Sequence, residues 1–212
     1  MTNDDMIREQ IEARGILNPR VLTALRQVDR ARFVPEEHLA EAYADKPLPL
    51  AEMSTISQPY IVGLMTELLD PQPTDRILEI GCGSGYQTAV LAALSREVYS
   101  LEILPLLADL ARFRLREFGV HNATVLQRSG WEGLAEHAPF ERILVTAAPD
   151  HVPTALLDQL AVGGRMIVPL GAGEQQELLQ IDKTAHTKFD ERTIAPVRFV
   201  PMVHRPPEQN NG

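Results

Sequence analysis

Three glycines at alternate positions, Gly81, Gly83 and Gly85, follow the apolar run Ile77-Leu78-Glu79-Ile80, with Cys82 and Ser84 between them. This pattern encodes a strand, a tight turn and a helix start. Lacking a Cβ, glycine allows backbone dihedrals and close ligand approach that other residues block, so the turn can lie against a bound nucleotide-like group. A dinucleotide fingerprint asks for glycine one residue further on, where this chain has Tyr86. Glu79 sits badly with a pyrophosphate and well with a cationic amino group. Together these features favour S-adenosylmethionine over NAD, although a glycine-rich turn with no ligand explains this element alone about as well.

Glu102 stands about twenty residues beyond the turn, where a nucleotide-binding α/β sheet places its ribose-binding acid. A solvated acid at a strand end is the plainer alternative. Open α/β sheets bind ligands at the carboxyl ends of their strands, so Gly81 to Gly85, Glu102, the Ser129-Gly130 loop and Thr146 are expected in one crevice. Thr55 and Ser57 bring hydroxyls to the start of a helix that begins near Pro59. Composition favours simple capping by Ser57, which stabilises a helix by about 1 kcal/mol. The alternative is that this helix N-terminus, with its free amides and partial positive charge, binds a substrate carboxylate. The six histidines are scattered without metal-site spacing, so no metal is expected. Cys82 is expected as a small contact residue rather than a nucleophile.

Positioning these residues requires a regular scaffold, and the pattern of apolar residues supplies one. Met6, Ile7, Ile11, Val21, Leu22, Leu25 and Val28 fall at helical spacing, interrupted at Gly15 and Asn18-Pro19. Residues 33–53 are broken by Pro35, Pro47 and Pro49 and are expected to wrap irregularly over the core. A helix follows between Pro59 and Pro71. Strands are then expected at 76–80, 98–101, 123–126, 142–146 and 165–168, alternating with helices, the last of which ends before Gly163-Gly164. Strands at 178–181 and 194–200 form an antiparallel hairpin on the sheet edge. The fold class is therefore α/β, a Rossmann-like doubly wound sheet with helices on both faces, mostly parallel with an antiparallel C-terminal hairpin, plus N-terminal helices. One domain is expected over 1–212, with an N-terminal wrap (1–56), a core (57–205) and a frayed tail (206–212).

The 212 residues are 44% hydrophobic and carry a formal charge of -9, which argues against a nucleic-acid partner. No apolar run reaches membrane-spanning length. A single cysteine and a polar, acidic N-terminus without a secretory pattern point to the cytoplasm.

Four blocks of the chain resemble the protein-L-isoaspartate O-methyltransferases. They are Ser54-Thr55-Ile56-Ser57-Gln58-Pro59-Tyr60, the run Leu78 to Gln87, the stretch from Ala138-Pro139-Phe140-Glu141-Arg142-Ile143 to Val145-Thr146-Ala147-Ala148, and Gly163-Gly164-Arg165 through Val168-Pro169-Leu170-Gly171. The tail Val197-Arg198-Phe199-Val200-Pro201 is similar too. The resemblance implies methyl transfer from S-adenosylmethionine, leaving S-adenosyl-L-homocysteine, to the free carboxylate of isoaspartyl residues in damaged peptides and proteins. It implies Ser57 as the active-site hydroxyl with Thr55 beside it. The cofactor would be held by Glu79, Gly81, Cys82, Gly83, Ser84, Gly85, Glu102, Ser129 and Gly130. A monomer acting without metal, nucleic acid or membrane is expected. The chain departs from the family pattern at Ser129, where an acid beside the adenine is usual, at Ala51-Glu52-Met53-Ser54, which lacks the usual glycine, and at Cys82, which replaces Thr or Ser. These departures leave open a class I methyltransferase with another carboxylate acceptor, or a non-catalytic S-adenosylmethionine-binding protein.

Overall fold

The computed structural model describes residues 1–51, 54–173 and 175–205. In chain order its elements are α1 (Asn3–Met6), α2 (Pro19–Gln27), β1 (Leu48–Pro49), β2 (Thr55–Ile56), α3 (Pro59–Leu69), β3 (Arg76–Ile80), α4 (Tyr86–Ala92), β4 (Glu97–Glu102), α5 (Pro105–Glu117), β5 (Ala123–Gln127), β6 (Phe140–Val145), α6 (Thr154–Gln159), β7 (Leu160–Ala172), β8 (Gln175–Ala185) and β9 (Lys188–Val197). Proline opens three of the helices, because its fixed φ suits the first turn and its missing N–H would be unpaired there anyway. Asn18 adds a side-chain cap to α2, accepting from the Arg20 amide at 3.0 Å.

The main sheet has the order β5-β4-β3-β6-β7-β8-β9. From β5 to β7 neighbouring strands are parallel, and β8 and β9 are added antiparallel. The chain steps outward from β3 through β4 to β5, then returns to lay β6 on the other side of β3. That reversal opens a crevice at the carboxyl ends of β3 and β6, the position where open α/β sheets bind ligands.

Side chains alternate across the sheet and define its two faces. Ile77 packs with Met65, Leu69, Leu91 and Leu144 beneath α3 and α4. Leu78 and Ile80 point the other way, into a cluster with Trp131, Leu134, Leu156 and Val145 on the side of α6. The N-terminal elements form a further apolar layer, where Phe33, Ile7 and Leu25 are wholly buried and pack with Tyr86 and Val90 of α4.

Three local expectations need correction. The helix expected to run up to Gly163-Gly164 is shorter, and the strand expected at 165–168 is longer. α6 stops at Gln159 and β7 begins at once, with the register jumping between the pairs Phe140↔Leu160 and Arg142↔Arg165. The glycines sit in that bulge, where a Cβ on Gly164 would lie 2.9 Å from the Glu141 carbonyl oxygen. The last strand also ends early, at Val197 rather than 200. The buried Gln176 side chain takes over the ladder, accepting from the Phe199 amide at 2.7 Å and donating to the Phe199 carbonyl at 3.0 Å. Residues 198–205 then leave the sheet edge and cross toward the crevice. Within the region expected to be irregular, β1 and β2 form a small antiparallel pair that carries Thr55. Glu52 and Met53, and with them part of the unusual 51–54 segment, lie outside the described residues, as does the tail 206–212.

Candidate active site

β3 delivers the glycine turn and β6 delivers the residue that fixes it. Gly81 has φ +92, and a Cβ there would approach Thr146 Oγ1 to 2.7 Å, so only glycine fits. Its amide donates to the Leu101 carbonyl at 2.7 Å. Its own carbonyl lies 2.5 Å from the Thr146 hydroxyl, which stands just beyond β6. At the end of β4, Glu102 is buried and spans two backbone segments. One carboxylate oxygen accepts from the Gly83 amide at 2.9 Å and the other from the Leu104 amide at 3.0 Å. The acid thus ties the glycine turn to the corner between β4 and α5.

A cavity of about 390 Å³ opens over this turn, lined by Gly81, Cys82, Gly83, Ser84, Glu102 and Gly130 among others. Thr55 and Ser57 form another part of its wall. These residues therefore share one cavity. The Cys82 thiol is pushed well up from its ordinary pKa by burial and by the nearby carboxylates of Glu102 and Glu79. It stays neutral, as a wall residue rather than a nucleophile.

The other three expected ligand residues are not on the wall. Glu79 shares a face with Ile77, not with Ile80, so its side chain lies beneath α4. It is wholly buried, accepting from the Ser100 hydroxyl at 2.6 Å and the Thr88 hydroxyl at 2.5 Å. Burial raises its pKa to about 7, despite those two hydrogen bonds. Gly85 packs against α5, with a would-be Cβ 3.4 Å from the Ala111 Cα. Ser129 turns its hydroxyl toward the Trp131 amide, 3.4 Å away, and it is Gly130 that faces the cavity. Three wall features escaped the sequence: Ile103 and Leu104 after β4, Ala147 beside Thr146, and the strap from Val200 to Arg205. The strap had a signal in its family-like motif, but its path depends on the Gln176 side chain across the sheet.

A second cavity, about 520 Å³, adjoins the first. Pro47, Ile61, Val197, Arg198 and Phe199 line it, and Thr55, Ser57, Thr146 and Val200 belong to both cavities. Ser57 precedes the helix proper. The N-cap of α3 is Gln58, with no side-chain cap bond, so the capping role expected from composition is not what Ser57 performs. Ser57 lines both cavities.

The sequence profile of the family described as protein-L-isoaspartate(D-aspartate) O-methyltransferase (PCMT) matches residues 1–206. The chain belongs to this methyltransferase family. The protein-L-isoaspartate O-methyltransferase of Methanospirillum hungatei is 50% identical over 200 residues, covering 94% of this chain and 92% of the relative. That of Anaeromyxobacter dehalogenans is 51% identical over 195 residues, covering 91% and 93%. A Plasmodium falciparum structure described as a protein-L-isoaspartate O-methyltransferase, solved in complex with S-adenosyl-L-homocysteine, shares the fold with a TM-score of 0.85 at 24% identity. It covers 97% of this chain and 100% of that one. The family resemblance and the doubly wound sheet with its antiparallel edge agree with this membership.

Proposed function

We propose that this protein methylates the free carboxylate of L-isoaspartyl residues in damaged peptides and proteins, using S-adenosylmethionine and initiating their repair. The observation that carries the proposal is the junction of the two cavities at Thr55, Ser57 and Thr146. One cavity holds the glycine turn and the buried Glu102 carboxylate, and the other adds Pro47, Ile61, Val197, Phe199 and Arg198 to the shared hydroxyl residues. A donor in the first and a peptide in the second would meet at those hydroxyls.

The wall residues suit the cofactor. Gly81 and Gly83 bring backbone to the cavity wall, and the Glu102 carboxylate is the hydrogen-bond acceptor that ribose hydroxyls require. When bound, S-adenosylmethionine supplies a sulfonium methyl group as the electrophile. The acceptor needs little activation. A carboxylate with an ordinary pKa near 4 is already ionised at pH 7, so the site must orient it and exclude water rather than remove a proton. In this proposal Ser57 and Thr55 orient the acceptor by donating hydrogen bonds, and Arg198 draws its negative charge into the second cavity. Cys82, held as a neutral thiol, does not compete for the methyl group.

We take the protein to act as a monomer in the cytoplasm, on soluble partners. Its net charge of -9 and single cysteine support this, and no helix of the described residues is long and apolar enough to cross a membrane. The test is transfer of a labelled methyl group from S-adenosylmethionine to two peptides that differ only in isoaspartyl or aspartyl linkage, with S-adenosyl-L-homocysteine binding measured by calorimetry. Base-labile label on the isoaspartyl peptide alone is the expected result. Binding without label on either peptide would overturn the acceptor assignment and leave another carboxylate or a binding-only role.

A further inference from the structure

Five residues after β9, Val200 to Val203 and Arg205, line the cavity over the glycine turn. They form a strap held at two places. Its backbone is bound to Ala148, whose amide donates to the Val200 carbonyl at 2.8 Å and whose carbonyl accepts from the Met202 amide at 2.7 Å. Beyond Met202 the tie is a ring stack. His204 lies on Trp131 with 4.2 Å between centroids and 12° between planes. Trp131 is buried, and it follows Gly130, where a Cβ would lie 3.2 Å from Met202 Cε. His151 approaches the same indole at 5.1 Å and 41°, but it belongs to the loop after β6 and is paired with Asp150.

We infer that Trp131 and His204 are positioning residues for the cofactor. Their stack fastens the strap to the loop after β5 and so keeps Met202, Val203 and Arg205 in the cavity wall. This rests on the same cavity being the S-adenosylmethionine site. A stacked ring contact is strong enough to bias the path of a short segment without being needed for the fold. The same loop carries Ser129 in place of the usual acid, and Ser129 is off the wall. The loop reaches the cavity through Gly130, and the strap continues the wall beside it.

The test measures S-adenosyl-L-homocysteine binding by calorimetry for the wild type, His204→Ala, His204→Phe and His151→Ala, alongside methyl-transfer kinetics. His204→Ala is expected to weaken binding about three- to tenfold and to raise KM for S-adenosylmethionine, with kcat at saturation and the thermal midpoint unchanged. His204→Phe, which keeps a flat ring, should restore binding. His151→Ala should bind like the wild type, because His151 is not on the strap. Trp131 is the only tryptophan, so its emission reports the stack without any ligand and should shift to the red in His204→Ala. Wild-type affinity in His204→Ala, or failure of His204→Phe to restore it, would overturn the inference. A wild type that binds no S-adenosyl-L-homocysteine is a different result, and it removes the cavity assignment together with the latch.

Discussion

Replacing Glu79 by glutamine should change how stability depends on pH, by an amount that follows from its surroundings. The carboxylate is wholly buried, with Oε2 accepting from Thr88 and Ser100 and Oε1 without a hydrogen-bond partner among the described residues. Desolvation dominates and lifts its pKa from 4.5 to about 7, with a smaller push from the Glu102 charge. In the unfolded chain the group titrates near its ordinary value. Between pH ~4.5 and ~7 the folded state therefore holds a proton that the unfolded chain has released, and stability falls as pH rises through that window. The contribution is fully present below pH ~4.5 and lost above pH ~7. The span corresponds to about 3 kcal/mol at roughly 1.4 kcal/mol per pH unit. Glu79→Gln keeps an oxygen for both hydroxyls and cannot ionise. Its amide group lacks a protein partner as the acid's own hydroxyl does, an offset that is constant with pH. Urea unfolding of both proteins without cofactor, at pH 5, 6, 7 and 8 and one ionic strength, isolates the effect because all other groups are common. The variant should gain about 2.5 kcal/mol relative to wild type between pH 5 and pH 8, since part of the titration lies outside that range. A difference that stays flat across that range would refute the reasoning.

Ser57→Ala should lower kcat about ten- to a hundredfold while leaving S-adenosyl-L-homocysteine affinity within about twofold, since the hydroxyl orients the acceptor rather than the cofactor. Glu102→Ala should do the reverse, weakening that affinity tenfold or more in calorimetry, because it releases the Gly83 and Leu104 amides as well as any ribose contact. Equal effects of the two changes on affinity would contradict the roles. Gly81→Ala combines a left-handed backbone with a contact to Thr146 and should cost about 1–3 kcal/mol of stability in urea unfolding and abolish cofactor binding. Arg30 is wholly buried, with its Nε donating to the Ala42 carbonyl and both terminal nitrogens lacking hydrogen-bond partners among the described residues. Burial lowers its pKa to about 10, and Arg30→Met should be neutral or stabilising within about 1–2 kcal/mol in thermal unfolding. A loss above about 3 kcal/mol would show that the guanidinium has a compensating partner.

Much of the fold and part of the site are written in local patterns. The apolar run into Gly81, Gly83 and Gly85 dictates a strand, a turn and a helix, because only glycine accepts those dihedrals and that closeness. Glu102 follows at the distance that one helix and one strand require, and the alternation of strand and helix dictates a parallel sheet. Thr55 and Ser57 were legible as hydroxyls at a helix start, although their use was not, since capping and ligand binding demand the same residues. What the sequence left undecided depends on partners distant along the chain. Strand alternation turned Glu79 away from the cavity, and Ser100 and Thr88, brought in by β4 and α4, gave its carboxylate a buried place beneath α4. Gln176 ended β9 by imitating a backbone with its side chain, which sent the chain end across the crevice instead of along the sheet edge. There Trp131 and His204, far apart in sequence, come into ring contact. Local composition sets the dihedrals a segment can adopt, and it determined the elements. Which face a polar group meets is a matter of packing between elements, and only the assembled sheet could decide it.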